Sequence, residues 1–455
     1  MNTLADARFA VPTPIEVSHS RRIAPYLAQL SIAALIFVSI TAPVINLSES
    51  LPWFRVEQLA LIPIGLVYLW LVLAGRAGLF RLNPMFIVAF IYSFCILLSL
   101  LYGTFVLGHP FLVRNLYEFP KVWLPVAFFT FGLEAKLSES AVRRVLRVLS
   151  IGIIPVCLYA WAQWMDLEIS YWLVQFYSGG FHDDGALAHY RRVYSTMGNP
   201  NLLAQLLTWA IAAFTLALLL KLGNRLVNIV LVLMCLVTLA MTGSRYGLID
   251  TALVLLLILW LSMAVKRRQR APLILLGTLL PIFAWVTITT ATTNRATLDR
   301  FQSLRDPLTT DSVHGRLDDL WPDASKEFLA SPLFGQGPAK EIFTDVVTDS
   351  EYLDVLKQFG IIGFIAYFAI FIYPLRQFWR GLQIRAKSHS SVEVAAPASS
   401  WALQFSFIML VSGLVMNIGM SLFYNAPLQG FFWLWMGIGV STIRPMAAAL
   451  GKPSQ

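Results

Sequence analysis

A few arginines in this 455-residue sequence combine a side-chain type and a setting that could do chemistry. Arg191 and Arg192 stand together in YRRVYSTMGNPN, and Arg245 interrupts two nearly continuous apolar runs in TGSRYGL. Arg300 and Arg316 follow in a long polar segment, with Arg295 and Arg305 beside them. A guanidinium is planar, permanently charged and matches phosphate oxygens with two parallel N–H bonds. Several of them turned towards one point would suit a diphosphate carried on a lipid. The helix that starts in GNPN, with Asn199 suited to the N-cap and Pro200 to the first helical position, could add backbone N–H donors at its positive end. For any single arginine the bland alternative is an interfacial side chain reaching for water, or a salt bridge. Arg245 resists that alternative best, because a cation at such depth normally faces protein or a water-filled cavity.

The elements that must carry these residues are helices in lipid. Hydrophobic residues make up 57% of the chain and charged ones only 13%, with mean hydropathy +0.68. A soluble domain carries about a quarter charged residues. The apolar runs are long and continuous instead of alternating, which excludes a transmembrane β-barrel and predicts an all-α polytopic membrane protein. About twelve spans are expected, near 24–44, 57–74, 85–107, 120–134, 144–165, 200–221, 226–242, 246–265, 272–291, 354–375, 401–423 and 427–444. The loops that would face the cytoplasm with the N-terminus inside are all basic, among them the KRRQR run at 266–270. Both termini are therefore expected inside. The segments are then a cytoplasmic stretch at 1–23, spans over 24–291, a large outer loop at 292–353, further spans over 354–444 and a cytoplasmic tail at 445–455. The first 22 residues are polar and lack the apolar core of a cleavable signal, so the first run reads as a retained helix. Within the outer loop, Leu317, Leu320, Trp321, Ala324 and Phe328 recur at helical spacing, and the helix should end near Ser331-Pro332.

The same pass excludes several classes. The basic loops account for most of the formal charge of +9 without a nucleic-acid partner. Cys95, Cys157 and Cys235 lie in apolar runs without CxxC spacing and read as buried thiols. His182, Asp183, Asp184 and His189 lack metal-ligand spacing, so no metal is expected. No Walker A, GxSxG or supported GxGxxG element is present, and no cofactor is expected. Glu118 and Lys121 could pair at the start of the fourth span, and Asp250 reads as structural.

Four ordered blocks resemble a known family. YRRVYSTMGNPNLLA resembles the R-x(6)-GNPN-x-x-A signature of the O-antigen ligase and polysaccharide polymerase superfamily. TGSRYGL resembles its T-x-S-R-x-G element, and HGRLDDLWPDASKEFLASPLFGQGP its segment with an Arg, a Trp and P-L-F-G-x-G. TDSEYLDVLKQFGIIGF resembles the block that closes the large periplasmic loop. The resemblance implies a GT-C-like, metal-independent glycosyltransferase of the bacterial inner membrane, with its active site facing the periplasm. Arg192, Arg245 and Arg316 are then the cations that hold the diphosphate, with Arg191 and Arg300 in support. Tyr352 and Trp321 are placed against glycan. Ligases of this family typically carry a His in the last block; here Asp349 falls at or beside it. An acid there is shared with polymerases, and a carboxylate can take the acceptor hydroxyl's proton. Asp349 is thus the first expectation for the general base and Glu351 the second, the alternative being that both cap the following helix.

The expected partners are an undecaprenyl-diphosphate-linked oligosaccharide donor and acceptor, membrane lipid, a flippase and a chain-length regulator. Polymerase is the leading reading, O-antigen ligase onto lipid A-core or protein the second. A transporter is third, disfavoured because no paired broken helices or internal two-fold repeat stand out.

Overall fold

A computed structural model describes residues 17–45, 54–73, 83–134, 137–177, 192–264, 277, 315–338, 349–388, 397–421 and 426–443. Among the described residues the architecture is all-α apart from one short antiparallel ribbon. Helix α1 (Val17–Thr41) leads into β1 (Val44–Ile45), which pairs with β2 (Phe54–Arg55) before α2 (Val56–Leu73). Then come α3 (Pro84–Phe105), α4 (Glu118–Glu134), α5 (Glu139–Trp164) and the short α6 (Glu168–Tyr177). The central helices are α7 (Pro200–Leu219), α8 (Arg225–Met241) and α9 (Arg245–Ala264). Beyond them lie α10 (Trp321–Ala330), α11 (Glu351–Ser388), α12 (Pro397–Met416) and α13 (Ala426–Ser441).

Six helices among the described residues are long and apolar enough to cross a membrane, which makes the chain polytopic. The expected ninth span, 272–291, lies outside the described residues save Gly277. The ribbon and α6 had no counterpart among the expected spans.

Local sequence accounts for the helix starts. Asn83, Ser138, Asn199 and Asn224 each cap a helix through the side-chain oxygen, with Pro84 and Pro200 in the first turn where no N–H is needed. Small residues account for the closest crossing. A Cβ on Gly437 of α13 would stand 2.0 Å from the Phe129 carbonyl of α4, and one on Gly132 2.3 Å from that of Leu434. Without a water-driven hydrophobic effect between spans, such backbone approach supplies the packing.

Helix α11 is not one crossing. The 36-residue stretch Glu351–Ala386 would extend about 54 Å as a straight helix, against a hydrocarbon core of about 30 Å. The break falls at Gly360 (φ 62°, ψ −169°), in a region open essentially to glycine. The chain folds back there as a hairpin. The Tyr367 hydroxyl donates to Glu351, though a straight helix would part the two residues by about 24 Å, and the Tyr352 ring lies 5.0 Å from that of Phe368. The run read as a crossing at 354–375 therefore contains a turn, and the crossing limb begins after it.

The break exposes backbone groups, and the PLFGQGP segment satisfies them. Gln336 and Gly337 donate N–H bonds to the carbonyls of Lys357 (2.8 Å) and Gln358 (2.9 Å), and Ile361 donates to the Pro332 carbonyl (2.9 Å). Added Cβ atoms on Gly335 and Gly360 would meet opposing carbonyls at 2.4 Å and 2.3 Å. Gly360→Ala is therefore expected to cost about 1–3 kcal/mol from strained backbone alone. A lower melting temperature of the detergent-purified protein is the readout.

Candidate active site

One end of the bundle gathers the motifs. The segment from Val193 to Met197 lies across the ends of α1 and α5: the Thr196 hydroxyl donates to the Ile40 carbonyl (2.7 Å), and the Gln163 amide oxygen accepts from the N–H groups of Tyr194 and Ser195. Gly198 turns the chain through a left-handed conformation (φ 66°), and the Asn199 side chain accepts from the N–H of Asn201 at 2.8 Å to start α7.

GNPN and TGSR, more than forty residues apart in sequence, then join. Asn201 Oδ1 accepts from Arg192 Nη2 (3.0 Å) and from the Ser244 hydroxyl (2.9 Å), while Arg192 Nε donates to the Thr242 carbonyl (2.8 Å). Ser244 Oγ in turn accepts from Gly247 N–H and begins α9. Gly247 is where α9 meets α7, for a Cβ there would stand 2.6 Å from that of Ala204. The small residues that close the two motifs therefore touch each other. Arg192 is a strap between the two turns. Arg192→Ala removes the bonds to Asn201 and Thr242, and is expected to lower the melting temperature as well as activity. Thermal unfolding run beside the activity assay checks this.

Arg245 is the first residue of α9 and half-buried. A cation at the positive end of a helix is unfavourably placed, so this position favours an anion as company. The charge of Arg316 bears on it, a second cation close by. Arg316 comes from the π-helical turn Gly315–Leu320 that precedes α10. Its guanidinium lies 5.3 Å over the centre of the Tyr246 ring, and grips one oxygen of Asp349 through Nε (2.9 Å) and Nη2 (2.5 Å). Tyr246 is in turn backed by Gly419, just after α12. Arg316, holding Asp349, thus sits over Tyr246 beside Arg245 at the start of α9.

The other expected residues are placed separately. Glu351 is buried at the start of α11, its N–H bonded to the Asn417 carbonyl (3.2 Å) and its carboxylate accepting from the Tyr367 hydroxyl. Tyr352 is engaged in the hairpin, its hydroxyl donating to the Leu414 carbonyl and its ring against Phe364 and Phe368. Trp321 opens α10, partly buried. Arg191 and Arg300 lie outside the described residues, as do Arg295, Arg305 and the histidines at 182 and 189. Among the described residues no three His, Cys, Asp or Glu side chains gather as metal ligands. Asp250 accepts from Gln205 (2.7 Å) and Ser412 (2.8 Å), joining α9 to α7 and α12. Sequence reasoning missed Asn201 as the joint and Gln163 as the clamp. The doubled Asn in GNPN was the available signal for the first.

These features define a polytopic helical membrane protein with a cluster of arginines and a carboxylate at one end of its bundle. Residues 229–368 match the family model described as O-Antigen ligase, so a domain of that family is present over that part of the chain. The match takes in α8, α9, the turn that bears Arg316 and the α11 hairpin. No curated protein matches the chain.

Proposed function

We propose that this protein is a polysaccharide polymerase of the bacterial inner membrane. It joins undecaprenyl-diphosphate-linked repeat units at the periplasmic face by metal-independent glycosyl transfer. The observation that carries this reading is the Arg316–Asp349 ion pair seated over Tyr246 at the start of α9, where Arg245 is the first residue. Donor diphosphate lies on Arg245 and Arg316. The acceptor hydroxyl attacks the anomeric carbon, the bond from that carbon to the diphosphate oxygen breaks, and the lipid diphosphate leaves with the electron pair. Asp349 takes the hydroxyl proton. Arginines fixed before the reaction stabilise the negative charge that builds on the leaving group. Because Arg316 touches Asp349, one guanidinium positions both base and leaving group. The basic loops that set the expected orientation put this end outside.

The test is a purified-enzyme assay with lipid-linked repeat units and no added metal or nucleotide, read by glycan length. A ladder of repeat units is expected; unchanged single units would refute polymerisation. The second reading, an O-antigen ligase, is favoured by the description of the matched family. Cells lacking the gene separate the two: loss of a polymerase leaves single repeat units, loss of a ligase leaves long lipid-linked chains.

A further inference from the structure

Helices α7 and α9 run side by side in the same direction, for their polar residues pair in ascending order from the motif end. Asn201 accepts from Ser244 (2.9 Å), Gln205 donates to Asp250 (2.7 Å), and the hydroxyls of Thr208 and Thr251 lie 2.9 Å apart. Three polar rungs thus cross about 10 Å of a bundle built for lipid. The middle rung reaches a third helix. Ser412 of α12 donates to the same Asp250 oxygen, Oδ2, at 2.8 Å. Its hydroxyl itself accepts from Gln205 (2.9 Å) and from the Trp209 indole N–H (3.1 Å).

The surroundings of Asp250 make no use of a charge. The residue is fully buried, and its second oxygen, Oδ1, has no hydrogen-bond partner among the described residues. Neither α7 nor α12 contains a charged residue, and α8 has only Arg225, at its far end. A carboxylate kept for its charge in such a place would sit against a cation, with both oxygens hydrogen-bonded. Asp250 instead offers one oxygen to two neutral donors. What it supplies is an acceptor shared by three helices.

Position gives that acceptor its use. Asp250 lies about one and a half turns below Arg245 on the same helix. Any turn of α9 about its axis would carry Arg245 sideways, and with it Tyr246, the ring under the Arg316 guanidinium. Between spans, close packing and side-chain hydrogen bonds are what hold a helix in one rotation. A misplacement of about 1 Å at a group that positions substrate can cost about a hundredfold in rate. We propose that Asp250 is a positioning residue for Arg245, fixing the rotation of α9 through its hydrogen bonds to Gln205 and Ser412 and not through charge. The inference rests on the glycosyltransferase reading above.

The test uses the full-length protein in nanodiscs. Asp250→Asn, which keeps an acceptor oxygen, should retain kcat/KM for lipid-linked repeat units to within about threefold. Asp250→Leu should lose about tenfold or more, chiefly in kcat. In an Arg245→Lys background the same change to leucine should cost less than about twofold further, whereas the falls in melting temperature should add. A second readout needs no turnover. With isotope-labelled arginine, the NMR signal of Arg245, assigned by its loss in Arg245→Lys, should move in Asp250→Leu and stay in place in Asp250→Asn. Should Asp250→Leu fail to accumulate, Gln205→Met removes the α7 donor alone and takes its place in every measurement. The proposal is overturned if Asp250→Asn loses as much as Asp250→Leu, if the rate losses multiply in the double variant, or if the Arg245 signal is unmoved in Asp250→Leu. The two readings fail differently. With no polymer from any protein, the glycosyltransferase reading falls while the NMR signal still decides the positioning role. With polymer formed, multiplying losses and an unmoved signal make Asp250 a purely structural joint and leave that reading standing.

Discussion

Arg245→Lys is expected to lose about two to three orders of magnitude in kcat/KM for lipid-linked repeat units, although the positive charge is kept. Lysine offers a point charge on a flexible stem, whereas the guanidinium presents two parallel N–H groups to one phosphate. The position sharpens the difference. Arg245 begins α9, beside the charge of Arg316 and at the positive end of a helix, so an orienting cation alone would be costly there. Loss of this size corresponds to about 3–4 kcal/mol of transition-state stabilisation. Initial rates with purified lipid-linked substrate measure it, and an unchanged melting temperature shows that the fold is intact. Full activity in the lysine variant would reduce Arg245 to an orientation charge.

Asp349→Asn should lower kcat by about two to four orders of magnitude if Asp349 removes the acceptor's proton. The amide oxygen can still accept from Arg316, whose Nε and Nη2 now bond one Asp349 oxygen, so the geometry should survive while the proton acceptor is lost. Single-turnover rates separate this effect from binding. The comparison with Glu351→Gln is decisive, because Glu351 is the other carboxylate of the same block, buried and bonded by the Tyr367 hydroxyl. If Asp349→Asn retains its rate and Glu351→Gln loses kcat, the base is Glu351 and the assignments exchange.

Much of the fold could be read from short stretches. The starts of α3, α7 and α8 are set by Asn before the first turn, with Pro following in two of them. The amphipathic pattern from Leu317 to Phe328 and the stop at Ser331 foretold α10. All of these depend on neighbours within a few residues. Even α11 carried its signal in FGIIG, yet the same apolar composition reads as a plain crossing. Only the opposing carbonyls of PLFGQGP show why Gly360 must turn.

The sequence alone determined that the chain is helical and built for lipid, where its helices start, and which blocks carry cations and carboxylates. These properties are local, settled by hydropathy and capping within a turn or two. The tertiary structure decided which of those groups meet. It tied Arg192 to Asn201 and Thr242, set Arg316 on Asp349 and Tyr246, and folded Glu351 back to Tyr367. Such meetings depend on where distant helices approach closely enough for a glycine to be required, as at Gly247 against Ala204, and no single segment encodes them.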